Sequence, residues 1–158
     1  MKILGIDPGT GRLGWSILEI LPRSKPLLLD CGCIETPVKT TLPKRLKIIY
    51  DFLTELVRSS KPDQFAIESL FFSNNAKTAI DVGAARGVAI LCAEQHNLPI
   101  FEYTPLQVKS SLTGFGKADK KQVEFMVMNI LKIKTKIKPD DAVDAVAIAL
   151  THSFHKKH

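Results

Sequence analysis

Two short apolar runs in this chain stop on an acid: "KILGID" at residues 2–7 and "QFAIE" at residues 64–68. Runs of this length and apolarity read as buried strands. An ionised carboxylate at the end of such a strand loses hydration at a cost of several kcal/mol unless a partner compensates it. If the two strands lie side by side in parallel, Asp7 and Glu68 meet at one edge of the sheet, the edge where open α/β sheets place their ligands. Any fold adopted by this chain therefore has to provide for two carboxylates at that edge.

The last apolar segment supplies two more. "PDDAVDAVAIAL", residues 139–150, has helical periodicity and puts Asp141 and Asp144 at i, i+3, on one helix face. Asp140, after Pro139, is placed to be an N-cap, and acids in a first helical turn suit the helix dipole. Capping accounts for Asp140 and in part for Asp141. It accounts poorly for Asp144, which lies among Val143, Ala145 and Val146 on a helix that reads as buried. Four carboxylates cannot converge without cations, because mutual repulsion would raise their pKa values until some were protonated. Oxygen-only ligands suit a hard ion, Mg²⁺ or Mn²⁺, and four acids suit two of them. Two such ions can activate a water on one side of a phosphodiester and stabilise the leaving 3′-oxygen on the other.

Along the chain, residues 2–7, 14–20 and 27–35 read as three strands joined by short turns, an antiparallel meander. From Pro43, the recurrence of Leu42, Leu46, Ile49, Leu53, Leu56 and Val57 predicts an amphipathic helix with Lys44, Arg45 and Lys47 outside. After strand 64–68, a long helical pattern runs from Asn75 to His96 and carries Gly83 and Gly87 one turn apart. Glycines repeated in a helix imply close approach of another backbone, either within the chain or across a dimer interface. A fifth strand, 100–103, a short helix capped by Thr104-Pro105, a glycine loop at 114–116 and a helix over 119–131 follow. A basic linker, "KIKTKIK" at 132–138, leads to the final helix, 140–154. The pattern predicts a single α/β domain over residues 1–158, a mixed five-stranded sheet flanked by helices.

Bulk properties narrow the partners. Hydrophobic residues make up 45% and charged residues 24%, values of an ordinary globular protein rather than a disordered one. No apolar stretch is long enough to span a bilayer, and the N-terminus enters a strand without an export signal, so a cytoplasmic location is expected. The three cysteines include a C-x-C at Cys31 and Cys33 with no histidine nearby, which suits reduced thiols rather than a zinc site. Twenty-two Lys and Arg against 16 Asp and Glu give +6. Setting the four clustered acids aside widens that excess and leaves a surface suited to phosphate backbones.

With these residues in view, the sequence resembles the bacterial RuvC family of crossover junction endodeoxyribonucleases, the Holliday junction resolvases. The likeness runs nearly end to end through "GIDPGTGRLGW", "CGCIET", "LPKRLKIIY", "FAIESLFFSNNA", "GAARGVAI", "FEYTPLQVK" and "DDAVDAVAIALTHS". It implies a ribonuclease-H-like fold, a homodimer, and cleavage of two symmetric strands of a four-way DNA junction. It also implies two Mg²⁺ per subunit with Mn²⁺ as a substitute, and a branch-migration motor complex of the RuvA and RuvB type as partner. The family's four catalytic acids fall on Asp7, Glu68, Asp141 and Asp144. By the same resemblance Phe71, with Phe72 beside it, stacks on bases near the crossover, and Lys109 and Lys120 contact DNA. Lys121 leaves the register of that pair ambiguous, and Arg86 has a weaker claim. Asp141 stands where some members have histidine, and His152, further along that helix, receives no role.

Three other readings compete. An ATP-binding protein of the actin and sugar-kinase type also opens on a strand like "GIDPGT", but needs two related domains for which 158 residues leave no room. A non-catalytic junction-binding module would not need the complete acid set. A related nuclease of the same fold acting on another structured DNA or RNA shares every feature above and differs only in substrate.

Overall fold

The computed structural model of the chain describes residues 1–69 and 76–155. It contains strands β1 (Lys2–Asp7), β2 (Arg12–Glu19) and β3 (Leu27–Glu35), helix α1 (Leu42–Ser60) and strand β4 (Gln64–Glu68). Helix α2 (Ala76–Gln95), strand β5 (Ile100–Tyr103) and helices α3 (Pro105–Thr113), α4 (Lys120–Leu131) and α5 (Asp140–His155) follow. The sheet order is β3-β2-β1-β4-β5. β1 pairs antiparallel with β2 and parallel with β4, and β4 pairs parallel with β5. The expected meander and mixed sheet are both present. β2 begins two residues earlier than its apolar pattern, because Arg12 still pairs with Glu35 of β3.

Side-chain alternation divides the sheet between two apolar layers. Leu4, Ile6, Leu13, Ile17, Phe65 and Ile67 pack against Ile49, Leu53 and Val57 of α1 and against Ala85, Ala89 and Ala93 of α2. Ile3, Leu18 and Ala66 face the other way, toward Ala142, Val146 and Ala149 of α5 and the apolar sides of α3 and α4. By the same alternation Asp7 and Glu68 point into the α5 layer.

How closely α5 lies on the sheet is set by Gly5 and Gly14. A Cβ at Gly5 would run into the carbonyl oxygen of Ala145, and one at Gly14 into the carbonyl oxygen of Asp141. Ser16, paired with Gly5 across the β1–β2 ladder, donates its hydroxyl to the same Ala145 carbonyl at 2.9 Å. The helix answers with alanines at 142, 145, 147 and 149, all buried. Small residues on both sides let helix and sheet backbones nearly touch, and Gly14 lies directly opposite Asp7 in the ladder. The first turns of α5 are therefore delivered to the acidic end of β1.

Two sequence expectations need correction. Asp140 is the first residue of α5 rather than the residue before it. It lies in the first turn together with Asp141, where both suit the dipole. On α2, a Cβ placed at Gly87 would meet no atom of another element within 4 Å among the described residues, so none of them makes the internal backbone approach there. The start of that helix at Asn75 falls outside the described residues, while Asp119 proves to be the cap of α4.

The glycine seat yields a measurable expectation. Gly14→Ala forces the first turn of α5 away from β2 and is expected to cost about 1–3 kcal/mol, as overpacked sites do. Chemical denaturation compared with the parent chain checks this, and an unchanged midpoint would contradict the seating.

Candidate active site

At the C-terminal ends of β1 and β4 a cavity of about 330 Å³ opens between the sheet, α3, α4 and α5. Asp7, Glu68 and Asp144 line it together with Lys109 and Lys120, and Pro105, Val108, Val123, Ala147 and Ile148 supply apolar walls. Three of the four acids singled out from the sequence thus converge on one space. Asp141 is one turn from Asp144 and close enough to raise the pKa of Asp7, but it does not line the cavity.

The electrostatics are those of a cluster short of positive charge. Asp7 is pushed up to about 8, first by burial, then by Glu68, Asp144 and Asp141, with only Lys120 acting against them. Burial and then Asp144 push Glu68 up to about 7, while Lys120 and Lys109 pull it back. Two side chains of the protein act as counter-ions. Lys120 donates to Asp144 Oδ2 at 2.9 Å, which raises the lysine's own pKa. Arg12 places Nε 3.6 Å from Asp141 Oδ2 while donating to Glu35 Oε1 from Nε and from its terminal nitrogen at 3.0 and 2.6 Å.

Local sequence positions the lysines. Asp119 accepts from the backbone N–H of Gln122, whose side chain accepts from the Asp119 N–H, a complete capping box that starts α4 at Lys120. Thr104 and Gln107 build the same box for α3, the helix of Lys109. Lys120 therefore faces the acids. Lys121, next in phase, lines a separate cavity with Phe115 and Phe125. Arg86 lies behind Glu68: its Nε donates to the Glu68 carbonyl oxygen at 3.2 Å, and its guanidinium pairs with Glu102. Phe71 and Phe72 lie outside the described residues.

Among the described residues, no three His, Cys, Asp or Glu side chains are drawn together as a ready-made ion cage. The donor set nevertheless fits hard divalent cations: it is all oxygen, half-buried at Asp7, and electrostatically unsatisfied. Asp144 and Asp141 are meanwhile held by Lys120 and Arg12, which must yield for those carboxylates to turn toward an ion.

Sequence reasoning missed Arg12 and Glu35 as members of this neighbourhood, because their link to Asp141 depends on the β2–β3 register. His152 is buried at 1% exposure, with Nδ1 2.7 Å from the Tyr103 hydroxyl and Nε2 2.8 Å from Gln64 Oε1.

The raised pKa of Asp7 has a consequence for stability. The folded chain keeps the Asp7 proton up to about pH 8, whereas the unfolded chain releases it near its ordinary 3.8. Between those limits the unfolded state binds fewer protons, so without divalent ions stability falls as pH rises. Asp7→Asn never ionises. In EDTA at pH 8 it is expected to melt at least about 3 °C above the parent chain, with the gap closing near pH 4. Thermal melts across that range check the sign.

Comparison with known proteins places this geometry. The family model described as "Crossover junction endodeoxyribonuclease RuvC" matches residues 3–152. Proteins of that description from Alkaliphilus oremlandii and Finegoldia magna are 49% and 48% identical to this chain. The alignments cover 97% of this chain and 93% of the first relative, and 99% and 95% for the second. Among solved structures, Thermus thermophilus RuvC in complex with a Holliday junction substrate superposes with a TM-score of 0.92 at 34% identity, over 98% of this chain and 94% of that one. This chain belongs to the RuvC family of crossover junction endodeoxyribonucleases.

Proposed function

We propose that this chain resolves four-way DNA junctions by hydrolysing one phosphodiester in each of two symmetric strands, using Mg²⁺ held by Asp7, Glu68, Asp141 and Asp144. The observation that carries the reading is the convergence of Asp7, Glu68 and Asp144 on a cavity that also holds Lys109 and Lys120. Its relatives' name and the junction complex of the Thermus thermophilus protein supply the substrate. When bound, two such ions supply an activated water and stabilisation of the leaving 3′-oxygen.

The chain's own residues do the rest. Asp7 and Glu68, stiffened by the central strands, present fixed oxygens. Asp141 and Asp144 come from one helix face and can turn once Arg12 and Lys120 release them. Lys120 and Lys109, at the cavity wall, are the cations placed to meet a phosphate. Arg86, held by Glu102, acts behind Glu68 by fixing the end of β4. The enzyme's partner on this reading is the branch-migration motor that the family resemblance implies.

Symmetric cutting calls for two active sites. On α2, Ile80 and Leu91 are 70% and 52% exposed. Gly87 lies between them at helical spacing, and none of the described residues outside its own helix packs over it. This apolar stripe with a gap at its centre suits a second copy of the same helix in an isologous contact, so α2 is assigned as the dimer face.

A synthetic four-way junction with Mg²⁺ is expected to yield paired, symmetric, ligatable nicks. Asp7→Asn is expected to bind the junction normally and cut it at least about 10²-fold more slowly; cutting at the parent rate would remove Asp7 from the chemistry. Leu91→Glu is expected to turn a dimer into a monomer in light scattering while leaving the thermal melt of the protomer intact. An unchanged mass would move the interface elsewhere.

A further inference from the structure

The acid cluster has a second fixed point at the far end of α5. His152 lies eight positions beyond Asp144, which is about 12 Å along the helix. Gln64 lies four positions before Glu68, which is about 13 Å along β4. Helix and strand run in opposite directions, so the His152–Gln64 hydrogen bond lies at one end of the two elements, and Glu68 and Asp144 share the cavity at the other. A rigid helix tied to a rigid strand at one end cannot slide at the other.

Both ring nitrogens of His152 are hydrogen-bonded in this tie. Gln64 Oε1 can only accept, so His152 Nε2 carries the hydrogen, and Nδ1 then accepts from the Tyr103 hydroxyl. The imidazole also stacks on Phe101, ring centroids 4.3 Å apart. It thereby joins α5 to β4 and β5 together, and Tyr103 pairs with Glu68 in the β4–β5 ladder. Between the two ends, the Ser16 hydrogen bond to the Ala145 carbonyl and the glycine seat hold the helix against β1 and β2. The His152 bonds add a directional tie to β4 and β5, the strands that flank Glu68.

We infer that His152 is a positioning residue: through Gln64 and Tyr103 it sets the axial register of α5 and so holds Asp144 opposite Glu68 at the spacing that divalent ions require. This rests on the reading of Glu68 and Asp144 as metal ligands. Removing groups that orient metal ligands typically costs 10–100-fold in metal affinity.

The test compares four variants with the parent chain for Mn²⁺ affinity by titration calorimetry, for kcat and KM on a four-way junction, and for Tm. His152→Phe keeps a ring of similar shape and loses both hydrogen bonds. It is expected to weaken Mn²⁺ binding and lower kcat by about tenfold each, with KM unchanged. His152→Gln restores an amide donor toward Gln64 and is expected to recover most of both. Tyr103→Phe removes one bond only and is expected to give a partial loss, which keeps the test available if His152→Phe does not fold. Leu53→Ala, buried in the opposite layer, is expected to lower Tm while holding Mn²⁺ affinity and kcat within about twofold. Parent-like Mn²⁺ affinity and kcat in folded His152→Phe, or in Tyr103→Phe where that variant alone folds, would overturn the inference. Equal losses in Leu53→Ala would overturn it too. A parent chain that binds no Mn²⁺ would instead sink the metal-site reading beneath it.

Discussion

The structure turns on the seating of one helix. α5 carries two of the four acids, and it reaches the sheet only because Gly5 and Gly14 present no side chain beneath the carbonyl oxygens of Ala145 and Asp141. Larger residues at either position would lift the helix by roughly the thickness of a methyl group. The first turns of α5 would then stand off from Asp7, the end of β1 that they meet. Burial of nearly the whole helix, Ala142 through Ser153, stabilises that seat enough to offset the carboxylates it confines. The domain accepts an electrostatically unfavourable corner as the condition for having a site there at all.

The lysine at that corner is placed against local preference. Lys120 and Lys121 occupy the first turn of α4, where the helix dipole disfavours cations. For Lys120 the cost is offset by Asp144, which draws its ammonium into a hydrogen bond. A cation held at a helix N-terminus by an acid of another element is a local rule broken for a site. Lys121, which breaks the same rule and turns toward Phe115 and Phe125 instead, has no acid of the cluster to meet. Arg12 plays the matching part on the other side, anchored by Glu35 and leaning on Asp141. The protein thus supplies counter-ions of its own to two of the clustered acids.

How much of this was legible in the chain depends on how local each cause is. Asp7 and Glu68 could be found because alternation and apolarity make strand ends visible, and Asp144 because an acid among valines and alanines has no local excuse. Asp140 was misplaced by one position, since two consecutive acids after a proline fit either side of a helix start. The choice between Lys120 and Lys121 was in fact written in "ADKKQ": Asp119 with Gln122 is a capping pair, and it fixes the phase of the helix. Arg12 and His152 could not be found this way. Glu35 meets Arg12 only through the β2–β3 register, and His152 meets Gln64 and Tyr103 across 88 and 49 residues of chain. No periodicity encodes such contacts.

The two faces of the sheet also divide the labour of a resolvase. The helices that line the acid cavity, α3, α4 and α5, lie on one face, whereas α1 and α2 cover the other. In the proposed dimer the copies meet through α2. A two-fold contact on that face leaves the acid cavity of each protomer open on its own side, so neither site has to be uncovered before DNA can enter. It also relates the two cavities by the same axis that relates the strands of a four-way junction. Cuts at equivalent positions then follow from the symmetry of the protein, without any signal passing between the sites. The glycine seat beneath α5 and the exposed gap at Gly87 use the absence of a side chain in two ways: the first brings a helix onto its own sheet, and in the proposed dimer the second would make room for a helix of the partner.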